Sequence, residues 1–544
     1  MSGKTVAQWV ADQLAAWGVK YVFGVPGDTI LPFLDAISRH QNLQFYSVIH
    51  ESTAAFMASA QAKLTGNFGV CVATGGPGAA NLLNGLLDAK KDQAPVLALT
   101  GQVESYNLST DYKQYISENF LLGSAVGFSG LVTTPESCND ILIKAIRSTM
   151  VKGIPMHVAF TKEVWLEETE EPIRPPEPYL NTQPQSSPEV IGQAINLLNR
   201  AERPAILAGR GVSSNGPILL ELAEKWQSGV TLTLPAKGIV PGDHPLVMGG
   251  LGEGGSEAST NMLSEADLLL IAGATWWPEL YLPEKMEIIQ IDVVPENIGG
   301  KIPVDFGVVG ELAVLLPLLR DGIIQKEKPA WKERLRGFKE TWINQLLPEI
   351  KAEGSPVPPG RLIKAVENVI KEDAIICLDV GNHTIWFNRI FSGSKQKILI
   401  SGNWRSMGFG LPAALAAKLS SPEQQVIAIV GDGGFAQCLA DFSTAVRYQL
   451  PISIILLNNG YLAMEKDRMQ LQGMNYEVTS LTLPDFAGFA ELCGGAGFKI
   501  ESSHQLEDAL KEALNQNTPT IIDIQTMAPV FPGLIDQAQK KNMI

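Results

Sequence analysis

The sequence of 544 residues contains no long apolar run and fewer basic than acidic residues. Its longest apolar runs, 268–273 and 452–457, are far shorter than the ~20 residues that cross a bilayer. The N-terminal stretch lacks the apolar region of a signal peptide. Lys and Arg number 42 against 57 Asp and Glu, so the formal net charge of −15 supplies no basic face for nucleic acid or anionic lipid. We therefore expect a cytoplasmic protein that binds neither a membrane nor nucleic acid.

The residues of disulfide, zinc and serine-hydrolase chemistry are also scarce or unpaired. The five cysteines are scattered and form no CxxC pair, which argues against a disulfide framework or a zinc site. None of the six histidines forms a pair at metal-ligand spacing, and no GxSxG elbow occurs. We expect the cysteines to be buried apolar residues.

The length and the apolar pattern predict several α/β domains. At roughly 150 residues per domain, 544 residues correspond to three or four domains. Short apolar runs alternate with amphipathic stretches, which is typical of parallel strands covered by crossover helices. Two segments interrupt this rhythm: 166–189 is rich in Glu, Pro, Ser and Gln, and 321–360 carries dense charge before SPVPPG. We place domain boundaries in these two segments.

Several strands and two helices can be assigned from the pattern. The predicted helices are an amphipathic one over 331–347 and one of about four turns over 437–449. The predicted strands are 69–74, 95–100, 204–209, 229–234, 267–273, 287–292, 374–379, 426–430, 452–457 and 520–524.

The strongest local signal is a pair of polar motifs that follow two successive strands. Asp432 stands in a Gly-Asp-Gly-Gly sequence after the run QVIAIV, and Asn459 follows the run ISIILL, 27 residues later. This spacing fits a strand end, a helix and the next strand. It places both side chains at the carboxyl edge of a parallel sheet, where open α/β sheets bind ligands.

These residues are the donors that a magnesium diphosphate requires. A carboxylate, an amide oxygen and a backbone carbonyl such as that of Tyr461 are hard oxygen ligands for Mg²⁺. Gly433 and Gly434 let backbone amides approach phosphate oxygens. We predict that Asp432, Asn459 and Tyr461 bind the metal. The alternative is that the two motifs are ordinary turns.

The GDG motif, followed after some two dozen residues by an Asn pair, resembles the diphosphate-binding signature of thiamine-diphosphate (ThDP) enzymes. The similarity runs over essentially the whole chain, in the three-domain plan of the family's pyruvate oxidase and acetolactate synthase branch. Further matching stretches, in the family's order, are Ile49-His50-Glu51, Gly76-Pro77-Gly78 with Asn81 and Asn84, Val380-Gly381-Asn382, and Ser406-Met407-Gly408-Phe409-Gly410.

The resemblance implies three doubly wound parallel-sheet domains, with the thiamin-diphosphate-binding fold occurring twice around a Rossmann-like middle domain. The N-terminal pyrimidine-binding domain covers 1–168, the central FAD- or nucleotide-binding-like domain 188–345, and the C-terminal diphosphate-binding domain 356–530. The linker is 169–187 and the C-terminal tail 531–544. In the family the cofactor lies between the first domain of one subunit and the last domain of another, so we expect a homodimer at minimum and a homotetramer as the assembly.

The resemblance assigns Glu51 as the catalytic glutamate. A carboxylate that is hydrogen-bonded to N1′ of the cofactor pyrimidine favours the imino tautomer, which removes the proton from the thiazolium C2. This role requires a buried carboxyl with a raised pKa. The alternative for Glu51 is a glutamate that stabilises a helix start through the macrodipole.

The remaining cofactor contacts also have structural alternatives. Met407 is bulky and unbranched, which suits a wedge between the rings of a bent cofactor, and the alternative is core packing. Val380, Gly381 and Asn382 follow the strand AIICLD and match the pyrimidine and diphosphate contacts, or they form a simple strand-end turn. The other residues assigned to the cofactor are Pro26, Gly27, Pro77 and Asn81.

Substrate choice is the least determined part. Gln114, in the stretch TDYKQYISEN, resembles the branch's glutamine near the substrate, although Lys113 and Tyr115 replace the Phe and Glu that relatives commonly carry. A structural role for Gln114 is the alternative. The stretch 461–468 (YLAMEKDR) is close to that of some pyruvate oxidases and lacks the tryptophan-bearing motif of acetolactate synthases. This comparison favours an oxidase.

The middle domain resembles the flavin-binding domain of this branch at 208–212, 273–275 and 291–293. A GxGxxG pattern over 250–255 follows no clear predicted strand and lacks an acidic residue ~20 positions later, so it adds little. The stretch 274–280 (ATWWPEL) replaces an Arg-bearing segment of acetolactate synthases. Relatives use this domain for FAD or ADP, or leave it empty, and we expect FAD here.

The resulting hypothesis is a ThDP- and Mg²⁺-dependent enzyme that decarboxylates a 2-oxo acid, pyruvate being the first choice. The resemblance implies oxidation of the resulting enamine through FAD, as in pyruvate oxidase. Carboligation as in acetolactate synthase is the first alternative. A non-catalytic nucleotide-binding relative is the second alternative, against which Glu51 argues because anchoring a diphosphate does not require it.

Overall fold

The computed structural model describes residues 3–179, 185–275, 281–283, 286–531 and 533. The chain forms two compact units. One comprises residues 1–182, 399–423 and 435–452, and the other comprises 183–398, 424–434 and 453–544. The described residues contain three six-stranded parallel sheets and one short antiparallel pair. The α/β class with three parallel sheets is therefore confirmed.

The first sheet has the strand order β3-β2-β4-β5-β7-β6, while β1 and β8 pair with each other. Its strands are β1 Lys4–Thr5, β2 Tyr21–Gly24, β3 Gln44–Ser47, β4 Gly69–Ala73, β5 Val96–Gln102, β6 Ser129–Val132, β7 Met156–Thr161 and β8 Glu168–Thr169. The accompanying helices are α1 Val6–Ala16, α2 Leu31–Ser38, α3 Glu51–Thr65, α4 Pro77–Asn81, α5 Leu83–Lys91, α6 Glu118–Leu122 and α7 Pro135–Lys152.

The second sheet has the order β11-β10-β9-β12-β13-β14. Counted from its own first strand this is 3-2-1-4-5-6, the order of a Rossmann fold. Its strands are β9 Pro204–Ala208, β10 Gly229–Leu232, β11 Val247–Gly250, β12 Leu268–Ala272, β13 Glu287–Asp292 and β14 Phe306–Val309. Its helices are α8 Pro188–Leu198, α9 Gly216–Trp226, α10 Glu257–Glu265, α11 Leu312–Gly322 and α12 Pro329–Ile350.

The third sheet has the order β16-β15-β17-β18-β20-β19. Its strands are β15 Ile375–Leu378, β16 Lys397–Ile400, β17 Val426–Gly431, β18 Ser453–Asn458, β19 Ala496–Ile500 and β20 Thr520–Gln525. Its helices are α13 Pro359–Val369, α14 Asn382–Ile390, α15 Gly410–Ser420, α16 Asp432–Ala436, α17 Phe442–Arg447, α18 Ala463–Leu471, α19 Phe486–Leu492 and α20 Leu506–Leu514.

The first and third sheets share one topology. Counted from its own first long strand, each has the order 2-1-3-4-6-5. The second sheet differs from both. The repeated fold that the resemblance implied is therefore present, with a Rossmann-like sheet between the two copies in the sequence.

The strands could be predicted from continuous apolar runs because they are buried on both faces. All five residues of β4, β9 and β12 are buried, as are all six of β7. Apolar side chains on both faces of the second sheet pack into two separate core clusters, as expected for a doubly wound sheet. All ten predicted strands are confirmed, with ends that differ by at most two residues.

The core of the first domain contains a stack of aromatic rings. Trp165 lies between Phe160, at a centroid distance of 4.1 Å, and Phe33, at 5.1 Å. All three side chains are fully buried. Offset ring contacts of this kind contribute about 0.5–1.5 kcal/mol beyond the burial of apolar area.

The helix predicted over 331–347 is confirmed as α12, which buries Trp331, Leu335 and Trp342. The helix predicted over 437–449 is wrong. The chain instead forms α16 directly after β17, a 3-10 turn at 439–441 and the short α17. Asp441 precedes α17 and accepts a hydrogen bond from Thr444 Oγ1 at 2.8 Å, and α17 starts later than the apolar periodicity predicts.

The GxGxxG pattern over 250–255 was expected to follow no strand, and this is wrong because β11 ends at Gly250. The cysteines Cys71, Cys138, Cys377 and Cys438 are buried and Cys493 is partly buried, all with free thiols. None of the described helices combines the length and the apolar character that a bilayer span requires.

The predicted domain boundaries stay predictions. Residues 180–184 of the linker lie outside the described residues, as do residues 276–280 of the ATWWPEL stretch. In the predicted tail, the described residues are Phe531 and Gly533.

The close contact between α3 and α5 depends on Gly85. A Cβ at Gly85 would lie 2.5 Å from Ala55 Cβ and 2.7 Å from Phe56 N. We expect Gly85→Ala to lower the free energy of unfolding by about 1–3 kcal/mol, because the helices must move apart. The measurement is the thermal unfolding midpoint by calorimetry.

The matched control is Gly192→Ala in α8, where an added Cβ meets nothing within 4 Å. That change should stabilise the chain by about 0.5–1 kcal/mol through helix propensity. An equal stabilisation by Gly85→Ala would contradict the close packing of α3 on α5.

Candidate functional site

The residues singled out from the sequence follow strands at the switch points of the first and third sheets. A switch point is the place where successive strands are added on opposite sides, so the connections leave in opposite directions and a crevice opens at the carboxyl ends. In the first sheet this place is between β2 and β4, and in the third between β15 and β17. Each sheet therefore has one crevice that is suited to a ligand.

In the first sheet, Pro26 and Gly27 follow β2, while Pro77 and Asn81 are the first and last residues of α4, which follows β4. Pro26, Pro77 and Asn81 are exposed in the single chain. Gly27 allows the segment after β2 to approach Thr74 closely, because a Cβ at Gly27 would lie 2.5 Å from Thr74 Cβ. The four residues thus border one crevice.

Glu51 begins α3 beside this crevice. Asn81 Nδ2 donates a hydrogen bond to Glu51 Oε2 at 2.9 Å. A Cβ at Gly78 would lie 3.3 Å from Glu51 Oε1, so the helix start at Pro77 closely approaches the carboxylate. Glu51 is half-buried in the single chain. Two residues that the sequence assigned separately, Glu51 and Asn81, are therefore in direct contact.

The backbone before Glu51 is held by a buried carboxylate that the sequence did not single out. Asp441 Oδ1 accepts a hydrogen bond from Ile49 N at 2.7 Å, and Asp441 Oδ2 accepts one from Thr53 Oγ1 at 2.5 Å. Both groups flank the first turn of α3. Asp441 therefore fixes the direction in which Glu51 leaves the strand.

In the third sheet, Val380, Gly381 and Asn382 follow β15. The buried Asp379 orders this turn, since its Oδ1 accepts a hydrogen bond from Val380 N at 2.7 Å. A Cβ at Gly434 would lie 3.0 Å from Asp379 Oδ2, so the two strand ends approach each other closely. Glycine at 434 is explained by this approach.

Asp432 is the centre of the second crevice. It is 2% exposed, and burial raises the pKa of its carboxyl. Its Oδ2 accepts hydrogen bonds from Asn459 N at 3.0 Å and from Gly460 N at 2.7 Å, and its Oδ1 accepts one from Gly433 N at 2.8 Å. The carboxylate therefore brings the end of β17 and the loop after β18 together.

The loop after β18 is itself ordered. Asn459 Oδ1 accepts a hydrogen bond from Tyr461 N at 3.1 Å, and Tyr461 forms an isolated antiparallel bridge with Ser480. A Cβ at Gly433 would lie 2.7 Å from Leu462 Cδ2, so glycine is required where the loop covers the strand end. Asp432, Gly433, Asn459 and Tyr461 thus form one cluster.

The donor set of this cluster suits a hard cation. A carboxylate offers about four acceptor positions, and three on Asp432 are used by backbone N–H groups, which leaves one lone pair for a metal. Asn459 and Tyr461 would contribute amide and carbonyl oxygens from the facing loop. Among the described residues, no group of three or more His, Cys, Asp and Glu side chains is placed to hold a metal ion. The candidate ligands are accordingly a mixed set with one carboxylate.

Two buried polar atoms beside Asn382 have no hydrogen-bond partner in the described structure. Asn382 Nδ2 donates to Asp467 Oδ2 at 3.0 Å, while the other oxygen, Asp467 Oδ1, is buried without a partner. His383 Nε2 is buried without a partner as well. Burial raises the pKa of Asp467 to about 6 and lowers that of His383 to about 4. Buried groups left unsatisfied are costly, so a polar ligand near Asn382 fits the residues present.

The last two predicted residues, Met407 and Gln114, belong to the first unit. Met407 precedes α15, and its carbonyl accepts a hydrogen bond from Ser406 Oγ, which in turn accepts one from Asn84 Nδ2 at 3.0 Å. Gln114 is exposed, has φ of 62°, and its carbonyl lies 2.4 Å from the position of a Cβ on Gly76. Gln114 thus contacts the turn that leads into α4.

Sequence reasoning missed Asp379, Asp441, Asp467 and Glu118. Asp379 carried a usable signal, because it ends an apolar strand next to the predicted turn 380–382. The other three lie within helical or irregular stretches whose pattern does not distinguish them from surface acids. Their burial identifies them.

Comparison with known proteins agrees with this geometry. Three family models match: "Thiamine pyrophosphate enzyme, N-terminal TPP binding domain" at 4–121, the central domain of the same enzymes at 191–319, and "Thiamine pyrophosphate enzyme, C-terminal TPP binding domain" at 379–524. The matched segments contain the whole second sheet, strands β1 to β5 of the N-terminal part, and strands β16 to β19 with most of β20 in the third sheet.

Individual relatives match over almost the whole chain. The "Putative thiamine pyrophosphate-containing protein YdaP" of Bacillus subtilis is 36% identical over 99% of this chain and 95% of its own length. The "Probable acetolactate synthase large subunit" of Methanocaldococcus jannaschii is 33% identical over 95% of this chain and 91% of its own. The pyruvate oxidase of Lactiplantibacillus plantarum is 29% identical over 94% of this chain and 86% of its own.

The two crevices, the repeated sheet topology and these matches lead to one conclusion. The chain belongs to the thiamine pyrophosphate enzyme family, in its pyruvate oxidase and acetolactate synthase branch.

Proposed function

We propose that this thiamine-diphosphate-dependent enzyme decarboxylates a 2-oxo acid, with pyruvate as the first choice, and passes the electrons that are released to FAD, as in a pyruvate oxidase. The observation that carries the proposal is the Asp432 cluster at one switch point together with the Glu51 and Asn81 pair at the other. A protein that only bound a diphosphate would not require the Glu51 and Asn81 pair.

The residues of the third sheet would hold the charged end of the cofactor. We assign Mg²⁺ to Asp432, Asn459 and the carbonyl of Tyr461, and we place the diphosphate against the glycine backbone at Gly433 and Gly434. Two further anions near Asp432 would be unfavourable without a cation, since the carboxylate is buried. The metal therefore links a buried carboxylate to a diphosphate of the same sign.

Val380, Gly381 and Asn382 would line the adjacent slot. Asn382 is held by Asp467, so its amide is oriented before a ligand arrives. The unpartnered atoms of Asp467 and His383 give this slot unused hydrogen-bonding capacity.

The residues of the first sheet would orient the reacting end. When bound, thiamine diphosphate supplies an electron sink for the electron pair that departing CO₂ leaves behind. We assign Pro26, Gly27, Pro77 and Asn81 to its pyrimidine side. Glu51 holds or releases a proton at its carboxylate, which Asn81 keeps oriented.

Met407 and Gln114 are assigned by resemblance. Met407 would support the bent cofactor through its flexible thioether chain. Gln114 would face the 2-oxo acid, because it lies beside Gly76 at the entrance to α4.

Two reactions compete within this branch. The names of the relatives favour neither decisively, since both acetolactate synthases and a pyruvate oxidase match over most of their lengths. The stretch 461–468 supports the oxidase, and its first residues lie in the Asp432 cluster. Carboligation of two 2-oxo acids is the second candidate, supported by the several synthases among the relatives.

The proposal of FAD depends on the second sheet. Its switch point is between β9 and β12, where Gly211 N donates to Gly273 O at 2.9 Å and a Cβ at Gly209 would lie 2.2 Å from Gly273 O. A dinucleotide site is expected at such a crevice. The GxGxxG pattern at 250–255 supports FAD no further, because a Cβ at Gly250 would lie 2.1 Å from Asn388 Oδ1 and glycine there serves packing.

The exposure of the first crevice supports an oligomer. Pro26, Pro77, Asn81 and Gln114 are all exposed in the single chain, although the proposed chemistry requires exclusion of water. A second copy that covers this edge would complete the site. We propose a homodimer at minimum and a homotetramer as the assembly, in the cytoplasm.

Within the proposed function, the first prediction concerns Glu51. Glu51→Gln should leave the affinity for ThDP and Mg²⁺ within a few-fold, because no anchoring group is lost, and should lower pyruvate turnover by roughly 100-fold or more because proton transfer fails. Titration calorimetry and CO₂ release measure the two quantities.

The matched control is Glu136→Gln, which removes a first-turn glutamate from α7 instead of α3. If Glu51 only stabilised a helix start through the macrodipole, the two variants would behave alike. Equal turnover in both variants would remove the assigned role.

The second prediction concerns the metal. Asp432→Ala should weaken the Mg²⁺-dependent binding of ThDP by roughly 100-fold or more, because the only carboxylate of the donor set is lost. Calorimetry with and without Mg²⁺ measures this. Asp485→Ala, which removes the carboxylate that caps α19 through Gly488 N, is the control and should bind normally. Unchanged affinity in Asp432→Ala would place the metal elsewhere.

The third prediction separates the candidate reactions. An oxidase should be yellow as purified, and its visible flavin absorption should bleach when pyruvate is added without oxygen. A synthase should form acetolactate from pyruvate with no net flavin reduction. A colourless protein that releases no CO₂ would favour the non-catalytic alternative.

A further inference from the structure

A buried carboxyl group lies directly behind the turn that leads into α4. Glu118, the first residue of α6, is 2% exposed. Its Oε1 accepts a hydrogen bond from Gly76 N at 3.3 Å, and a Cβ at Gly75 would lie 3.0 Å from the same oxygen. The other face of this turn touches the carbonyl of Gln114. The turn is thus held between Glu118 and Gln114.

The second oxygen of Glu118 begins a chain of buried hydrogen bonds. Glu118 Oε2 is bonded to Thr100 Oγ1, which lies 2.7 Å from His157 Nε2. His157 Nδ1 lies 2.7 Å from Ser129 Oγ, and Ser129 Oγ lies 2.8 Å from Asn119 Oδ1. This row of hydrogen bonds therefore runs from Glu118 through three side chains to Asn119, the next residue of α6.

Counting hydrogens shows which form of Glu118 satisfies this chain. If the carboxyl is protonated, it donates to Thr100 Oγ1, and Thr100 donates to His157 Nε2. His157 Nδ1 then donates to Ser129, and Ser129 donates to Asn119 Oδ1. Every link has one hydrogen, with His157 neutral. Burial lowers the pKa of His157 to about 3, which agrees with a neutral ring.

An ionised Glu118 leaves one link without a hydrogen. Thr100 must then donate to the carboxylate, so His157 Nε2 must donate to Thr100. Ser129 must donate to His157 Nδ1, and Asn119 Oδ1 loses its donor. The buried chain thus favours the protonated carboxyl, and burial raises the pKa of Glu118 to about 7.

Among the residues that the structure describes, no charged side chain offsets this preference. The elements packed against Glu118 are α4, β5, β6 and β7, and their one titratable residue is His157, whose Nε2 lies 3.8 Å from Glu118 Oε2. Because His157 is neutral, it adds no compensating charge. Glu118 is also the one titratable residue of α6 itself.

We propose that Glu118 is a positioning residue whose proton controls the turn at Gly75 and Gly76, and through it the start of α4 with Pro77 and Asn81. Loss of the proton places a charge on Oε1 and strengthens the bond from Gly76 N, which draws the turn toward Glu118. Asn81, at the other end of α4, donates to Glu51, so the shift reaches the carboxylate assigned to proton transfer. The consequence for turnover rests on the function proposed above.

Isotope-edited infrared spectroscopy of the full-length chain with labelled glutamate tests the proton. The protonated fraction of Glu118 should fall from about 90% at about pH 6 to about 10% at about pH 8, a roughly ninefold loss of the carboxylic acid band. Glu118→Gln should lack this component. An absent band at about pH 6, or an unchanged band in the variant, would overturn the proposal.

Amide exchange at Gly76 tests the positioning. After correction for intrinsic exchange, its protection in the wild-type chain should increase by about fivefold as pH rises through about 7, because the bond becomes charge-assisted. In Glu118→Gln, which keeps a donor and an acceptor but cannot ionise, protection should stay constant. If the protection of the Gly76 amide in the wild-type chain does not change as Glu118 titrates, Glu118 is only structural.

Thr100→Val supplies a second variant of similar shape. It removes the hydroxyl that bonds Glu118 and connects it to His157, so the midpoint of the Glu118 titration should move. An unmoved midpoint would contradict the hydrogen-bond chain. Below the midpoint, Glu118 in the folded chain binds protons that the unfolded chain releases, so stability should fall as pH rises from about 4.5 to about 7, and Glu118→Gln should lose this slope.

These readouts need no cofactor, so failure to bind ThDP would leave them standing and would refute the proposed function alone. In an active enzyme, the pH profile of kcat/KM should contain an ionisation near 7 that Glu118→Gln lacks. The infrared titration could be present while the pH profile of kcat/KM is identical in the wild-type enzyme and in Glu118→Gln. That result would overturn the effect of Glu118 on catalysis and limit its role to the protein without substrate.

Discussion

The order in which parallel strands are added to the first and third sheets is the constraint on which the candidate site depends. Each sheet begins at one strand, adds its second strand on one side and its third on the other. The connections that follow β2 and β4 therefore run in opposite directions, as do those that follow β15 and β17. A crevice opens at the carboxyl ends of these strands. Asp432, Glu51 and the glycine turns matter because they stand at these two places.

Both crevices are bordered by carboxylates that the fold has removed from water. Asp432 is satisfied by three backbone N–H groups, Asp441 holds the start of α3, and Glu118 supports the turn before α4. Removing a carboxylate from water is unfavourable unless hydrogen bonds, a proton or a cation compensate. Asp432 and Asp441 use backbone and hydroxyl donors. Glu118 has fewer donors, which is why a proton is its natural compensation.

Glycine in this protein often marks close approach of two segments instead of contact with a ligand. Gly434 adjoins Asp379, Gly85 adjoins α3, and Gly250 adjoins Asn388. The first of these lies in a cofactor motif and the last in a GxGxxG pattern, yet both have a packing reason in the chain itself. A glycine motif therefore identifies a phosphate site only when the surrounding backbone leaves space for one, as the switch points do.

Much of the fold could be predicted from the sequence, because buried parallel strands are continuous apolar runs that end in polar residues. The ten predicted strands and the helix over 331–347 depended only on such local patterns. The pairing of Asp432 with the loop at Asn459 was likewise predictable, since successive strand ends meet at one edge. The helix over 437–449 was not, because the Asp441 carboxylate accepts hydrogen bonds from Ile49 N and Thr53 Oγ1 far away in the sequence, and local periodicity carries no information about those contacts.

The sequence by itself determined the three α/β sheets, the family and the residue types that a diphosphate and its metal require. The tertiary structure decided which acids are buried. Asp467 and Glu118 stand in stretches that look like ordinary polar surface, and their raised pKa values arise only from desolvation by segments far away in the chain. Electrostatic properties of this kind depend on the whole surroundings of an atom in space, whereas secondary structure depends largely on its neighbours along the chain.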